Sequence, residues 1–242
     1  MVRTHNEDAY AVAADDGLVV VADGMGGYSA GEVASRLAVD SVVQRLQFNH
    51  ARRTGDDLED AFQEANQVIW DTAGDFPEME GMGTTMVVGL IQDQSLLYAW
   101  VGDSRLYRLR EGQLGKLTID HTLVQDLVDK GVFDSVEDAM AAGVRDNVLT
   151  RALGSEPWVA VSFGVSELRD GDIYLFCTDG LSHMVPDMEL GRALRDGIED
   201  LDLTAERLVE LAYAAGALDN ITLVLMRIGQ SSGTPDATQR VS

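Results

Sequence analysis

The 242-residue chain has 45% hydrophobic and 24% charged residues, close to the averages of folded soluble domains, which excludes a fibre or a wholly disordered chain. Its 41 Asp+Glu against 18 Lys+Arg leave a formal net charge of −23, which argues against nucleic acid and anionic membrane as partners. A single cysteine, Cys177, excludes an internal disulfide framework and Cys-based structural zinc. No stretch approaches the roughly 20 apolar residues of a membrane span, and residues 1–8 lack a signal peptide's apolar segment, so a cytoplasmic chain is expected.

Along the chain, strand and helix signals alternate with no internal repeat, predicting one domain over 1–229 and a disordered tail over 230–242. The β-branched run Leu18 to Ala22 is a buried strand that stops at Asp23-Gly24, and 30–47 is a helix. Leu58, Ala61, Phe62, Ala65, Val68 and Ile69 recur at helical spacing, with Asp56 and Glu59 placed as a capping pair. Strands at Thr85 to Ile91, Leu96 to Val101 and Arg105 to Arg110 are joined by short turns that suit an antiparallel meander. A short helix from Leu123 to Lys130 follows, then a polar insertion to about Asn147 with helical turns near Val136 to Ala141. Further strands are expected at Val159 to Val165, Ile173 to Thr178 and Ile221 to Ile228. Helices are expected at Pro186 to Arg195, opened by the proline, and at Thr204 to Ala215, capped by the threonine.

Three of these strands run into an acid: Asp23, Asp103 and Asp179. A fourth acid, Asp219, precedes its strand. In antiparallel pairing a strand's start lies beside its neighbour's end, so the four carboxylates are able to meet at one edge. Like charges packed together need cations, and all-oxygen ligation selects hard ions such as Mg²⁺ or Mn²⁺. Glycine after Asp23 and Asp179 permits a sharp turn and brings a carbonyl oxygen near. Arg3, just before Glu7-Asp8, suits an anionic substrate because guanidinium binds phosphate oxygens bidentately.

The order of motifs resembles the metal-dependent protein phosphatase family, the protein phosphatase 2C-like Ser/Thr phosphatases of bacterial type. It runs through Arg3-Thr4-His5-Asn6-Glu7-Asp8, Val21-Ala22-Asp23-Gly24-Met25-Gly26-Gly27, Gly31-Glu32, Gly83-Thr84-Thr85 and Val101-Gly102-Asp103-Ser104-Arg105. It continues through Asp120-His121, 149–154, Thr178-Asp179-Gly180-Leu181 and 218–222. The resemblance implies an α+β fold, a four-layer αββα sandwich of two antiparallel sheets packed face to face with helices on both outer sides. It implies that Asp23 bridges two divalent cations (Mn²⁺ or Mg²⁺), that the Gly24 carbonyl ligates one, and that Asp179 and Asp219 complete the site. Glu7 and Asp8 then act largely through water, and Asp103 with Asp179 helps hold a possible third cation. Arg3 is the implied phosphate-binding residue and 132–148 the flap beside the site. The implied chemistry is in-line attack on a phosphoserine or phosphothreonine monoester by a hydroxide bridging two cations, with no phosphoenzyme. The implied partners are phosphorylated proteins, among them a Ser/Thr kinase, met by a monomer.

Met25 stands where eukaryotic relatives place a histidine proposed as general acid, which leaves His5 and His121 as alternative donors, beside water. Met1 and Val2 are all that precede Arg3, where family members usually have a short strand. Three competing functions are a phosphoprotein sensor without turnover, a phosphodiesterase or nuclease, and an acidic sandwich whose Asp-Gly pairs are only turns. The net charge also predicts preference for phosphosites with basic flanks.

Overall fold

The computed structural model describes residues 5–27, 29–47, 53–217 and 219–229, and the backbone of 236–241. Arg3 lies outside the described residues. The strands are β1 (Asp8–Ala13), β2 (Leu18–Met25), β3 (Gly83–Thr84), β4 (Met86–Gln92), β5 (Ser95–Val101), β6 (Arg105–Arg110), β7 (Gln113–Lys116), β8 (Ser162–Glu167), β9 (Ile173–Cys177), β10 (Thr222–Arg227) and β11 (Asp236–Val241). The helices are α1 (Ala30–Gln47), α2 (Gly55–Asp75), α3 (Leu123–Asp129), α4 (Val136–Ala141), α5 (Asp179–Ser182), α6 (Asp187–Asp196) and α7 (Leu201–Ala214).

Two antiparallel sheets result. One has the order β1-β2-β4-β5-β8, with β3 beside the end of β2, and the other has the order β11-β10-β9-β6-β7. Their facing sides share a core: Val19, Val21, Val87 and Trp100 from the first meet Leu106, Tyr174, Phe176 and Val224 from the second. Alternation along β2 turns Leu18, Val20 and Ala22 to the opposite side, where Val42, Phe62 and Ile69 of α1 and α2 cover them. On the far side of the second sheet, Leu175 and Leu225 pack on Leu190, Leu194 and Leu208 of α6 and α7. The layers are therefore α, β, β, α, the expected sandwich.

Several local expectations are corrected. The meander does not form, because β5 and β6 belong to different sheets; the chain crosses between them at Gly102, which adopts φ +98. That crossing carries Asp103. Strand β1 is an addition to the expected elements, since its polar start and alanines give weak strand character. The strand expected from Val159 begins only at Ser162, because Val159 is drawn under α2 by two hydrogen bonds with the Gln63 side chain (2.7 and 3.4 Å). Helix α2 is closed by a capping box of Thr54 and Asp57, not by Asp56 and Glu59. Helix α7 starts three residues before Thr204, capped by Asp200; the Thr204 hydroxyl instead donates to the carbonyls of Gly197 and Asp200, both at 2.6 Å. Within the tail expected to be disordered, Asp236–Val241 pairs antiparallel along β10, whose edge amides and carbonyls would otherwise lack partners. The insertion at 132–148 carries α4, and its base is closed by a bridge between Thr122 and Leu149.

Candidate active site

The predicted acids converge at one end of the sandwich because both sheets stop there. Asp8 opens β1 directly opposite Asp23 near the end of β2, so their side chains share one face of the sheet. Neither Asp23 nor Gly24 is a turn residue: both lie inside β2, and Gly24 pairs with Thr84. Three bonds fix the Asp23 backbone. Its N–H donates to Thr85 Oγ1 (3.1 Å), while its carbonyl accepts from the Thr85 N–H and the Thr84 hydroxyl (both 2.9 Å). Thr85 Oγ1 also shares a 2.7 Å hydrogen bond with Ser104 Oγ, tying Asp23 to the residue after Asp103.

Asp103 is 4% exposed, and its turn is held by His121. The Gly102 N–H donates to His121 Nδ1 at 3.0 Å, and the His121 N–H donates to the Gly102 carbonyl at 2.9 Å. His121 Nε2 lies 2.9 Å from Ser162 Oγ and 3.3 Å from Arg151, and the ring stacks on Trp100. Burial, then the Arg151 charge, pushes this imidazole down to about 4. His121 is thus a neutral positioning residue whose ring nitrogens are both engaged. His5 is exposed, its carbonyl accepting from Asn220 Nδ2 at 3.1 Å.

On the second sheet, Asp179 does not end a turn but begins α5, and Asp219 enters alongside it. Gly180 is required because a Cβ there would collide with the Asn220 carbonyl oxygen. The Asn220 side chain reaches across to the first sheet, accepting from the Glu7 N–H at 3.0 Å. Glu7 in turn accepts through its carbonyl from the Gly24 N–H (3.1 Å) and the Ser35 hydroxyl (2.6 Å). A Cβ on Gly31 would meet Glu7 Oε1 at 2.5 Å, so the glycine of Gly31-Glu32 makes room for that carboxylate. The Thr178 hydroxyl closes the circuit by donating to Asp8 Oδ2 at 3.0 Å.

The charges register this crowding. Burial, with the charges of Asp179 and Asp219, pushes the Asp8 carboxyl up to about 7. Burial and Asp179 raise Asp103 to about 7, and burial with Asp8, Asp179 and Asp103 holds Asp23 well above the usual carboxylate range. The Asp23 and Asp179 carboxyls are within hydrogen-bonding reach of each other, a contact that requires a proton or a cation. Asp8 Oδ1 and Asp179 Oδ1 are buried with no hydrogen-bond partner. Such oxygens fit a divalent cation, because ligation supplies the partners that the protein does not.

Sequence reasoning missed His183. Its Nδ1 lies 3.3 Å from Asp179 Oδ2, on the turn of helix that Asp179 begins. The signal was the i, i+4 spacing, legible only if Asp179 starts a helix. For Asp179, burial, which raises a carboxyl, is outweighed by the His183 hydrogen bond and charge, so its pKa is lowered; the same hydrogen bond raises His183. From His183 a cleft of about 440 Å³ extends beneath α4, lined among others by Arg105, Asp120, Glu137, Met140 and Asp146.

A two-sheet sandwich whose converging carboxylates demand cations is the architecture of a metal-binding hydrolase. Residues 2–212 match the family model described as protein phosphatase 2C, and the chain belongs to that family. It is 38% identical over 232 residues to the serine/threonine phosphatase stp of Listeria monocytogenes, covering 93% of this chain and 91% of that one. The crystal structure of the Mycobacterium tuberculosis serine/threonine phosphatase PstP/Ppp is similar with a TM-score of 0.84 and 37% identity, over 95% of both chains. The catalytic domain of PstP in complex with two manganese ions is similar at a TM-score of 0.80 and 35% identity, over 98% of this chain and 94% of that one.

Proposed function

We propose that this chain is a metal-dependent phosphatase of phosphoserine and phosphothreonine proteins. The observation that carries the proposal is the convergence of Asp8, Asp23, Asp179 and Asp219 from both sheets, with buried carboxylate oxygens that no protein donor meets. When bound, two divalent cations, Mn²⁺ or Mg²⁺, supply Lewis-acid charge that lowers the pKa of water and offsets charge on the phosphoryl oxygens.

The chain's own groups do the holding and orienting. Asp23, the Gly24 carbonyl, Asp179 and Asp219 would hold the cations, with Glu7, Asp8 and Asp103 supporting them, as the family resemblance implies. Thr84, Thr85 and Thr178 fix the backbone and side-chain angles of these acids, which keeps the constellation from relaxing as charge develops. Arg3 takes the phosphate oxygens, by the family resemblance. A thiol nucleophile is disfavoured because burial pushes Cys177 up to about 12, which keeps it protonated at neutral pH. His121 is held neutral with both ring nitrogens engaged, which leaves water or the exposed His5 to protonate the leaving serine or threonine oxygen.

Every acid of the cluster comes from one chain, so a monomer suffices. The phosphoproteins it acts on include a Ser/Thr kinase, as the resemblance implies. Among the described residues no helix is long and apolar enough to cross a membrane.

The test is hydrolysis of a phosphothreonine peptide with Mn²⁺, with chelator, and in Asp179→Asn. Turnover is expected only in the wild type with metal. Activity that survives both chelator and substitution would overturn the proposal.

A further inference from the structure

We infer that the cleft between Met25 and Trp158 is a subsite for a bulky apolar side chain of the phosphoprotein substrate, within two residues of the phosphoresidue, and that Trp158 sets this preference. The inference deepens the proposed function and rests on it. Strand alternation puts Met25 on the same face of β2 as Asp23, two residues and about 6.6 Å further along. At Met25 a cavity of about 360 Å³ opens, with Leu149, Ala152, Trp158, Val159 and Ala160 as its apolar lining. Two residues of an extended peptide cover the same distance, so a side chain flanking a phosphate held beside Asp23 reaches the cavity.

The loop that carries Trp158 is fastened to the active site. Leu153 bridges Thr84, the two exchanging backbone hydrogen bonds of 2.9 and 3.1 Å, and the Thr84 hydroxyl donates to the Asp23 carbonyl. The Gly154 N–H donates to Asn66 Oδ1 at 2.8 Å, and Asn66 Nδ2 donates to the Glu156 carbonyl at 2.9 Å. Beyond Trp158, the Gln63 side chain holds both the N–H and the carbonyl of Val159. With its backbone neighbours fixed to α2 on both sides, Trp158 is still 61% exposed. An indole held in place and left in water is suited to anchor a partner, since it offers a large apolar face and loses little conformational freedom on binding. Met25 opposite supplies a flexible thioether that adapts to side chains of different shape.

Charge does not select the occupant here. The Arg151 guanidinium is committed to the Ala160 carbonyl and Ser162 Oγ, both at 3.5 Å, and the exposed Glu156 balances it in charge. The cleft beneath α4 is lined by carboxylates, whereas this one recognises its occupant by removing apolar surface from water.

The test measures kcat/KM with Mn²⁺ for phosphothreonine peptides with uncharged flanks, in which leucine or phenylalanine replaces alanine at each of the two positions on either side of the phosphoresidue. Each value is read as a ratio to that for an aryl phosphomonoester, whose leaving group carries no side chain to fill the cleft. One position is expected to raise the ratio about tenfold, the effect of partly burying such a side chain. Trp158→Ala is expected to cancel the gain by raising KM for that peptide without lowering kcat, and Trp158→Phe to restore most of it. The same peptide carrying a non-hydrolysable phosphonate in place of the phosphate should bind wild type, but not Trp158→Ala, more tightly than its alanine parent by fluorescence anisotropy. Circular dichroism on both variants guards against a folding defect. Turnover of peptides and aryl phosphate with no apolar preference, or with a preference that Trp158→Ala leaves intact, would overturn this inference and leave the phosphatase standing. A Trp158-dependent dimer by sedimentation, without peptide preference, would give the cleft to a second copy and overturn it also. Phosphonate binding that prefers the apolar peptide and depends on Trp158, in a protein that turns over neither substrate, would overturn the phosphatase and keep the subsite.

Discussion

Asp8 and Asp23 face each other as direct partners in the β1–β2 ladder, two carboxylates where a sheet normally places complementary side chains. Like charges directly opposite destabilise a strand pair. Burial of Asp8 at 8% exposure removes the water that would screen them. The pair is therefore a local weakness of the metal-free protein that cations convert into a strength.

Mn²⁺ is accordingly expected to raise the melting temperature relative to chelator. Asp8→Asn should raise the melting temperature of the chelated protein, by about 2 to 4 °C for each kcal/mol of repulsion relieved in a chain of this size. The amide oxygen that the substitution introduces would still accept from the Thr178 hydroxyl. The same variant should show a smaller Mn²⁺-induced increment. A thermal scan of both proteins with and without Mn²⁺ decides it; a lower melting temperature for the chelated variant would contradict the argument.

Arg105 is the support beneath this site. Its guanidinium donates to both oxygens of Asp120 (2.6 to 3.1 Å), to the Tyr107 hydroxyl at 3.1 Å and to the Ser182 carbonyl at 3.4 Å, next to His183. Tyr107 passes the chain on, donating to Asp187 at 2.9 Å. Removing Arg105 leaves Asp120 with the Lys116 ammonium at 3.3 Å as its one remaining charged partner, so the cost approaches the about 3 to 5 kcal/mol of a broken buried pair from below. Arg105→Ala is expected to lose stability on that order by urea unfolding. The double variant Arg105→Ala with Asp120→Asn should recover part of the loss. A single-variant loss under about 1 kcal/mol would show that the network contributes little.

How much of this is legible in the sequence follows from what each residue's role depends on. Asp23, Asp179 and Asp219 can be placed because apolar β-strand runs end or begin beside them, and strand ends meet by topology alone. Asp103 is located correctly for a wrong reason. The expected meander would keep β5 and β6 in one sheet, whereas the left-handed Gly102 sends the chain to the other, and periodicity carries no signal for a change of sheet. His183 is invisible because Asp179-Gly180 has the composition of a turn; its helical geometry comes from the packing of Leu181 and Val185 into the second sheet's core. The glycines at 24 and 180 read as freedom to turn, yet the structure needs them, and Gly31 with them, for close approach of neighbouring backbone or side chain. Such crowding is a property of the assembled site and no local pattern encodes it.

His121 gives a pH dependence with a definite sign. Its folded pKa of about 4 lies below the ordinary 6.5, so the unfolded chain takes up a proton that the native protein refuses. The contribution is fully present above pH 6.5 and is lost as pH falls to about 4, by up to about 3 kcal/mol. The raised carboxylates of the site change stability in the opposite sense over the same window, so the measurement is a difference. His121→Asn offers an oxygen to the Gly102 N–H but does not titrate. In saturating Mn²⁺, the stability gap between wild type and variant should be widest at pH 7 and close by pH 4. A gap independent of pH would show that His121 does not titrate as described.

The cleft that leads from His183 beneath α4 bears on substrate choice. Asp120, Glu137, Asp146 and Asp187 line it against Arg105 and Lys116. Both cations are already committed to Asp120, Lys116 at 3.3 Å. The charges left to a visiting peptide are therefore mainly Glu137 and Asp146, within a protein of formal charge −23. An opposite charge at about 4 Å in a watery cleft contributes about 1 kcal/mol, or roughly fivefold in binding. Phosphothreonine peptides with arginine or lysine beside the phosphoresidue should accordingly show kcat/KM about fivefold above acidic-flanked peptides at low salt. The gap should narrow as ionic strength shortens the reach of these charges. Glu137→Gln combined with Asp146→Asn is expected to remove most of the preference by raising KM for basic peptides while leaving their kcat near wild type. Equal kcat/KM for both peptide classes at low salt would mean that the cleft does not read the flanking charge.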